Sequence, residues 1–128
     1  MKTFTSPAME VIDLCESLLD DAHGPLNEEQ RDFSLVILRN AHYFVQLTNR
    51  YAEIITQMRN GQTYSGITHE WRTPLVSVIG YSELLADGMV GPVTPSQSAV
   101  YRQINLLGAG LRDAIQKLAE FAKTSSTT

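Results

Sequence analysis

This 128-residue chain has a single cysteine, a single tryptophan and no excess of basic charge. A lone thiol, Cys15, cannot form an internal disulfide, which fits a reducing compartment. Ten Lys and Arg stand against fourteen Asp and Glu, for a formal net charge of −4. Nine of the acids lie before residue 65, where only five of the bases do. With no basic stripe to meet phosphates, a nucleic-acid surface is excluded. No stretch reaches the roughly 20 apolar residues that cross a bilayer. The N-terminal "MKTFTSPAMEVIDLCESLL" also lacks the long uncharged run of a signal peptide. The expectation is a soluble, cytoplasmic protein with no membrane partner. Strand signals are missing too: there is no sustained alternation of apolar and polar residues and no Asn-Gly or Asp-Gly hairpin turn.

What remains is helical periodicity in a chain that is 43% hydrophobic and 19% charged, enough for one domain with a moderate core. Three breakers divide it: "HGPLN" at 23–27, "NGQTYSG" at 60–66 and "GPVTP" at 91–95. Four amphipathic segments lie around them, roughly 6–22, 27–59, 64–89 and 95–123. Asn27 and Thr94 occupy N-cap positions, with Gln30 and Gln97 placed to complete capping boxes. The second segment is longer than the first, so its end near 51–58 is expected to overhang and pack against the start of the third.

Two of the segments match each other. At an offset of 67 residues, "PAMEVIDLCESLLDDAHGPLNEEQ" lies over "PLVSVIGYSELLADGMVGPVTPSQ" with nine identities in 24 positions, where composition alone gives about one or two. Pro7 falls on Pro74, Gly24 on Gly91, Pro25 on Pro92 and Gln30 on Gln97. This reads as an internal duplication of a helical hairpin, with residues 1–60 forming one copy and 61–128 the other. A hairpin cannot bury its apolar stripes alone. The expected fold is therefore all-α, an antiparallel up-down four-helix bundle made of two tandem hairpins.

The chemistry concentrates in "THEWRTPLVSVIGYSELL", residues 68–85. On a helical wheel Ile67, Trp71, Leu75, Val78, Ser82 and Leu85 form the core stripe, and His69 points away from it. Thr73, Val76, Gly80, Leu84 and Asp87 share the histidine's face, with Ser77 at its edge. Gly80 costs a helix about 1 kcal/mol relative to Ala; either a partner approaches closely there or the bundle simply tolerates it. Pro74 removes the amide that would bond the Glu70 carbonyl and so kinks the helix beneath His69. A neutral imidazole is a competent nucleophile near neutral pH. A neighbouring carboxylate, Glu70, can hold one ring proton, and the Thr73 hydroxyl can orient a water or phosphoryl oxygen. That set suits phosphoryl transfer to and from nitrogen. His23 and His42 read as ordinary surface residues.

The run "HEWRTPLVSVIGYSELL" resembles the H-box of bacterial sensor histidine kinases, in their dimerisation and histidine-phosphotransfer (HisKA-type) domain. Within His-Glu-Leu-Arg-Thr-Pro-Leu only Trp71 departs. The tails "GPLNEEQRDF" and "GPVTPSQSAV" resemble that family's turn and second-helix start. The resemblance covers 65–123 well and 6–59 weakly. It implies that His69 is the phosphoacceptor, Glu70 the acid/base partner, and Thr73 the residue positioning water or phosphoryl, above the kink at Pro74. It further implies that Ser77, Gly80, Tyr81 and Leu84 dock the receiver domain of a response regulator. A histidine kinase catalytic domain is the other partner implied. Any Mg belongs to the receiver, so no cofactor or metal is expected on this chain.

The chain departs from the family twice. In the first copy Lys2 stands opposite His69, Thr3 opposite Glu70 and Ser6 opposite Thr73, so one chain would supply both hairpins but only one phosphoacceptor. A monomeric pseudo-dimer and a homodimer both remain open. No Gly-rich phosphate-cradling loop follows the hairpin, so no ATP-dependent autophosphorylation is expected. The leading expectation is a phosphorelay module passing phosphoryl between His69 and a receiver aspartate. The alternatives are a truncated dimerisation region of a full sensor kinase, and a non-catalytic bundle that binds a receiver or kinase and inhibits signalling.

Overall fold

The computed structural model describes residues 2–59 and 65–126 and is entirely helical over them, apart from turns and two isolated bridges. The helices are α1 (Lys2–Leu19), α2 (Glu28–Arg50), α3 (Ala52–Arg59), α4 (Ser65–Ala86) and α5 (Pro95–Ser126). The four long ones pack in cyclic order α1, α2, α4, α5, each against two neighbours. This arrangement is compatible with an up-down four-helix bundle. No helix among the described residues is long and apolar enough to cross a membrane.

Each hairpin loop is built by the same local chemistry. α1 and α4 end in Schellman-type caps: Ala22 N–H reaches the Ser17 carbonyl at 3.0 Å, and Met89 N–H reaches that of Leu84 at 3.1 Å. The left-handed residue each cap requires is Asp21 (φ 60°) in the first and Gly88 (φ 76°) in the second. Both expected capping boxes form. Asn27 Oδ1 accepts from Gln30 N–H at 2.7 Å and Gln30 Oε1 accepts from Asn27 N–H at 2.9 Å; Thr94 and Gln97 repeat the pair at 3.0 and 2.9 Å.

The loops then lock onto each other. Gln30 Nε2 donates to the Pro92 carbonyl, and Gln97 Nε2 donates to those of Gly24 and Pro25, all at 3.0 Å. Asn27 Nδ2 donates to Val90 O, and Thr94 Oγ1 to His23 O. Nearly every loop bond thus has a counterpart 67 residues away. Along the core, side chains 67 apart also meet each other. Ser34 Oγ lies 2.7 Å from Tyr101 OH, and the Phe4 and Trp71 rings are 4.5 Å apart.

Two apolar clusters fill the interior. One, near the loops, centres on Cys15, Leu18, Ile37, Leu85, Tyr101 and Ile104. The other, toward the opposite end, gathers Phe4, Phe44, Leu47, Ile55, Trp71 and Ile115. Trp71 is fully buried, stacks 5.9 Å from Phe44, and satisfies its indole N–H on Thr48 Oγ1 at 2.8 Å. A polar tip with a partner lets this bulky ring occupy a core position.

Three expectations need correction. The segment read as one helix over 27–59 is two, because Tyr51 leaves helical geometry (φ −104°, ψ 16°) with no proline or glycine to announce it. Beyond that bend the expected packing onto α4 is made by side chains, with Tyr51 OH on Glu70 and the buried Ile55 in one core with Trp71, while the backbone of α3 lies against α5. The first helix also starts before Pro7, because Phe4 is buried against Trp71. His23 is no idle surface residue: half-buried, it bridges Ser17 at 3.2 Å and Ser96 at 2.7 Å. Of the connector read at 60–66, residues 60–64 lie outside the described residues.

Two measurements probe this packing. Gly91 has φ +112°, and a Cβ there would stand 2.5 Å from Asn27 Nδ2, which is already tied to Val90 O. Gly91→Ala should lower unfolding free energy by about 1–3 kcal/mol in urea titration. Burial, helped by the Glu16 charge, pushes the Cys15 thiol up from 9.0 to about 12. Above pH 9 the unfolded chain sheds a proton that the folded chain keeps, so stability should fall as pH rises toward 12. The slope is at most about 1.4 kcal/mol per pH unit. Denaturation at pH 8, 9 and 10 should show a shallower decline in Cys15→Ala than in the parent.

Candidate functional site

α4 carries the candidate residues because its two faces have different jobs. Trp71, Leu75, Val78, Ser82 and Leu85 are buried, as the wheel requires, while His69, Thr73, Val76, Gly80, Leu84 and Asp87 are exposed. Val76 is 72% exposed, too much for a side chain engaged in packing the core. His69 sits in the second turn of α4, and among the described residues no hydrogen bond reaches its ring. An exposed imidazole with free nitrogens is accessible to an electrophile from solvent.

The residues that follow it are already engaged. Thr73 Oγ1 donates to the His69 carbonyl at 2.9 Å, one turn back along the helix. Pro74 is buried and supplies no amide to the Glu70 carbonyl. The half-buried Glu70 turns toward α2, where its Oε2 accepts from Tyr51 OH at 3.1 Å and its Oε1 stands 3.5 Å from Tyr43 OH. No hydrogen bond joins Glu70 to His69. Arg72 Nη1 donates to Gln116 Oε1 at 2.9 Å and so ties α4 to α5.

His69 opens onto a groove of about 390 Å³ between α4 and α5, which it lines with Arg72, Thr73, Val76, Gly80 and Arg112 among others. The groove holds two guanidinium-bearing residues and no carboxylate, an environment suited to an anionic group. Arg112 comes from α5, where nothing in its local sequence marks it; only helix packing brings it to the histidine. A second depression, of about 440 Å³, is lined by Val76, Ser77, Gly80, Tyr81, Glu83 and Leu84. All four residues expected to dock a receiver therefore share one surface. Tyr81 is steadied there by its ring contact with Phe33 at 4.9 Å, and a Cβ on Gly80 would meet nothing within 4 Å. Among the described residues no group of His, Cys, Asp or Glu gathers as a metal site.

Similarity to known proteins covers part of the chain. The sensor histidine kinase GlrK of Escherichia coli (strain K12) is 38% identical over 55 residues, which is 43% of this chain and 12% of that one. The sensor histidine kinase QseE of Escherichia coli O157:H7 gives the same figures. The cell-division control histidine kinase PdhS of Brucella ovis is 40% identical over 58 residues, 44% of this chain and 6% of that one. The chain therefore contains a histidine kinase-related region and spans a small fraction of the length of these relatives. No protein-family model and no solved structure matches it.

Because the space around Gly80 is open, its helix penalty has no compensating contact within the chain. Gly80→Ala should raise unfolding free energy by about 1 kcal/mol, measured by urea denaturation.

Proposed function

We propose that this chain is a histidine phosphoacceptor module of two-component signalling, exchanging phosphoryl between His69 and the aspartate of a response-regulator receiver. In this reading the molecule is a four-helix bundle formed from a duplicated hairpin. The copy over 1–60 has lost the phosphoacceptor, and the copy over 61–128 keeps it. One chain then supplies both halves of what would otherwise be a dimer. Phosphoryl arrives from a separate kinase domain or a phosphorylated receiver, and Mg enters only with that receiver.

The observation that carries the reading is His69 itself, exposed and unbonded beside Arg72, Thr73 and Arg112, within a chain that contains a histidine kinase-related region. Attack by a ring nitrogen on phosphorus needs an accessible lone pair and cations to offset phosphoryl charge. Below the histidine, the surface of Ser77, Gly80, Tyr81 and Leu84 combines exposed apolar area with a residue lacking a side chain. A receiver helix could approach there more closely than any other residue type would permit. Arg72 and Arg112 would sit at the rim of the transferring group, and Thr73, whose proton is given to a carbonyl, would offer lone pairs to a water.

One further reading is favoured by a specific observation. The relatives are many times longer than the matched region, which fits a dimerisation segment of a full sensor kinase. Both readings place the phosphoryl on His69 and differ in where it comes from.

Incubation with a panel of phosphorylated receiver domains and with an isolated kinase domain should put acid-labile phosphate on the parent chain. His69→Gln should take up less than a hundredth as much. Undiminished labelling of His69→Gln would overturn the assignment. Size measurement in solution should give a monomer, and an obligate dimer would overturn the pseudo-dimer.

A further inference from the structure

The residues that restrain the H-box carboxylate come from the other half of the chain. Tyr51 is the C-cap of α2, where the helix bends into α3, and its hydroxyl donates to Glu70 Oε2 at 3.1 Å. Tyr43, two turns earlier on α2, places its hydroxyl 3.5 Å from the second carboxylate oxygen. Both lie in the region that resembles the second helix of the degenerate copy. Glu70 follows His69 directly, so the two side chains diverge by about 100° around the helix axis. The histidine opens on the groove toward α5, while the carboxylate is drawn to the flank facing α2.

We propose that Tyr51, seconded by Tyr43, is a positioning residue that holds the Glu70 carboxylate off His69 and thereby restrains phosphoryl uptake. Net of exchange with water, a hydrogen bond to a charged acceptor stabilises more than one between neutral groups, so this contact holds the carboxylate in place. While held, it cannot take the ring proton that must leave when the imidazole acquires phosphorus. Tyr51 stands at the joint between α2 and α3, and α3 is seated by the buried Ile55 and by its contact with α5. Displacing α3 would move the hydroxyl and free the carboxylate. The degenerate copy thus contributes to the site rather than only to the scaffold. This inference rests on His69 being the phosphoacceptor.

The test uses the full chain and phosphoramidate, a small phosphoryl donor. One ring nitrogen's lone pair forms the N–P bond, the P–N bond of the donor breaks, and ammonia leaves. The proton on the other ring nitrogen goes to a base, either water or a released Glu70. Initial uptake rates would be compared among the parent, Tyr51→Phe, Glu70→Gln and the double variant, each checked for parental helicity and cooperative melting. The expected result is a fivefold or greater acceleration in Tyr51→Phe that vanishes in the Glu70→Gln background, with a smaller gain in Tyr43→Phe. An unchanged or slower rate in Tyr51→Phe, or an equal acceleration in both backgrounds, would overturn the proposal.

Failure of the parent to accept phosphoryl at all would instead count against His69 as the phosphoacceptor. The restraint is then read by NMR at fixed pH. The His69 ring Hε1 resonance should move in Tyr51→Phe relative to the parent, and should not move between Glu70→Gln and the double variant. No movement in the first comparison would overturn the restraint.

Discussion

Two glutamine side chains crossing between two loops hold the rest of the molecule in register. Gln30 caps its own helix and reaches the Pro92 carbonyl; Gln97 caps its own helix and reaches those of Gly24 and Pro25. Each amide therefore fixes the start of one helix and the loop before another. Both glutamines are buried, so losing either partner would leave a polar group unsatisfied away from water. With that end fixed, the positions of α1 against α5 and of α2 against α4 follow. Side chains 67 residues apart then face each other along the core, from Ser34 and Tyr101 near the loops to Phe4 and Trp71 near the far end.

The same backbone frame carries two unlike outer faces. The exposed positions of α4 include His69, Val76, Gly80 and Leu84; their counterparts on α1 are Lys2, Met9, Asp13 and Ser17. Where α4 offers a histidine, an open glycine and two apolar side chains, α1 offers a cation, an exposed methionine, a carboxylate and a hydroxyl that is already bonded to Leu14 O and His23. Core residues keep their character because packing density punishes change in volume. Outward residues carry no such constraint and record what each face is used for. On the proposed reading, one face meets a partner and the other does not.

The site is likewise a product of both halves. Arg112 reaches the groove from α5, and Tyr43 and Tyr51 reach Glu70 from α2. The surroundings of His69 and Glu70 are thus set partly by helices other than α4. The bend at Tyr51 is part of this, since the hydroxyl that reaches Glu70 stands at that joint and the buried Ile55 follows it.

Both hairpin loops, both capping boxes, the buried stripe of α4 and the outward histidine were legible in the sequence, because each depends on spacing within one segment. Periodicity separates Trp71, Leu75 and Val78 from His69, Thr73 and Gly80 without reference to anything else in the chain. The 67-residue offset likewise foretold two loops of one design. Contacts between segments were not legible. Nothing near Arg112 marks it as a neighbour of His69, no breaker marks the bend at Tyr51, and His23 looked like a solvated residue until Ser17 and Ser96 enclosed it. Glu70 shows the division most clearly. Adjacency in sequence pairs it with His69, but a helix turns consecutive side chains about 100° apart, and two tyrosines on a neighbouring helix decide which way its carboxylate points.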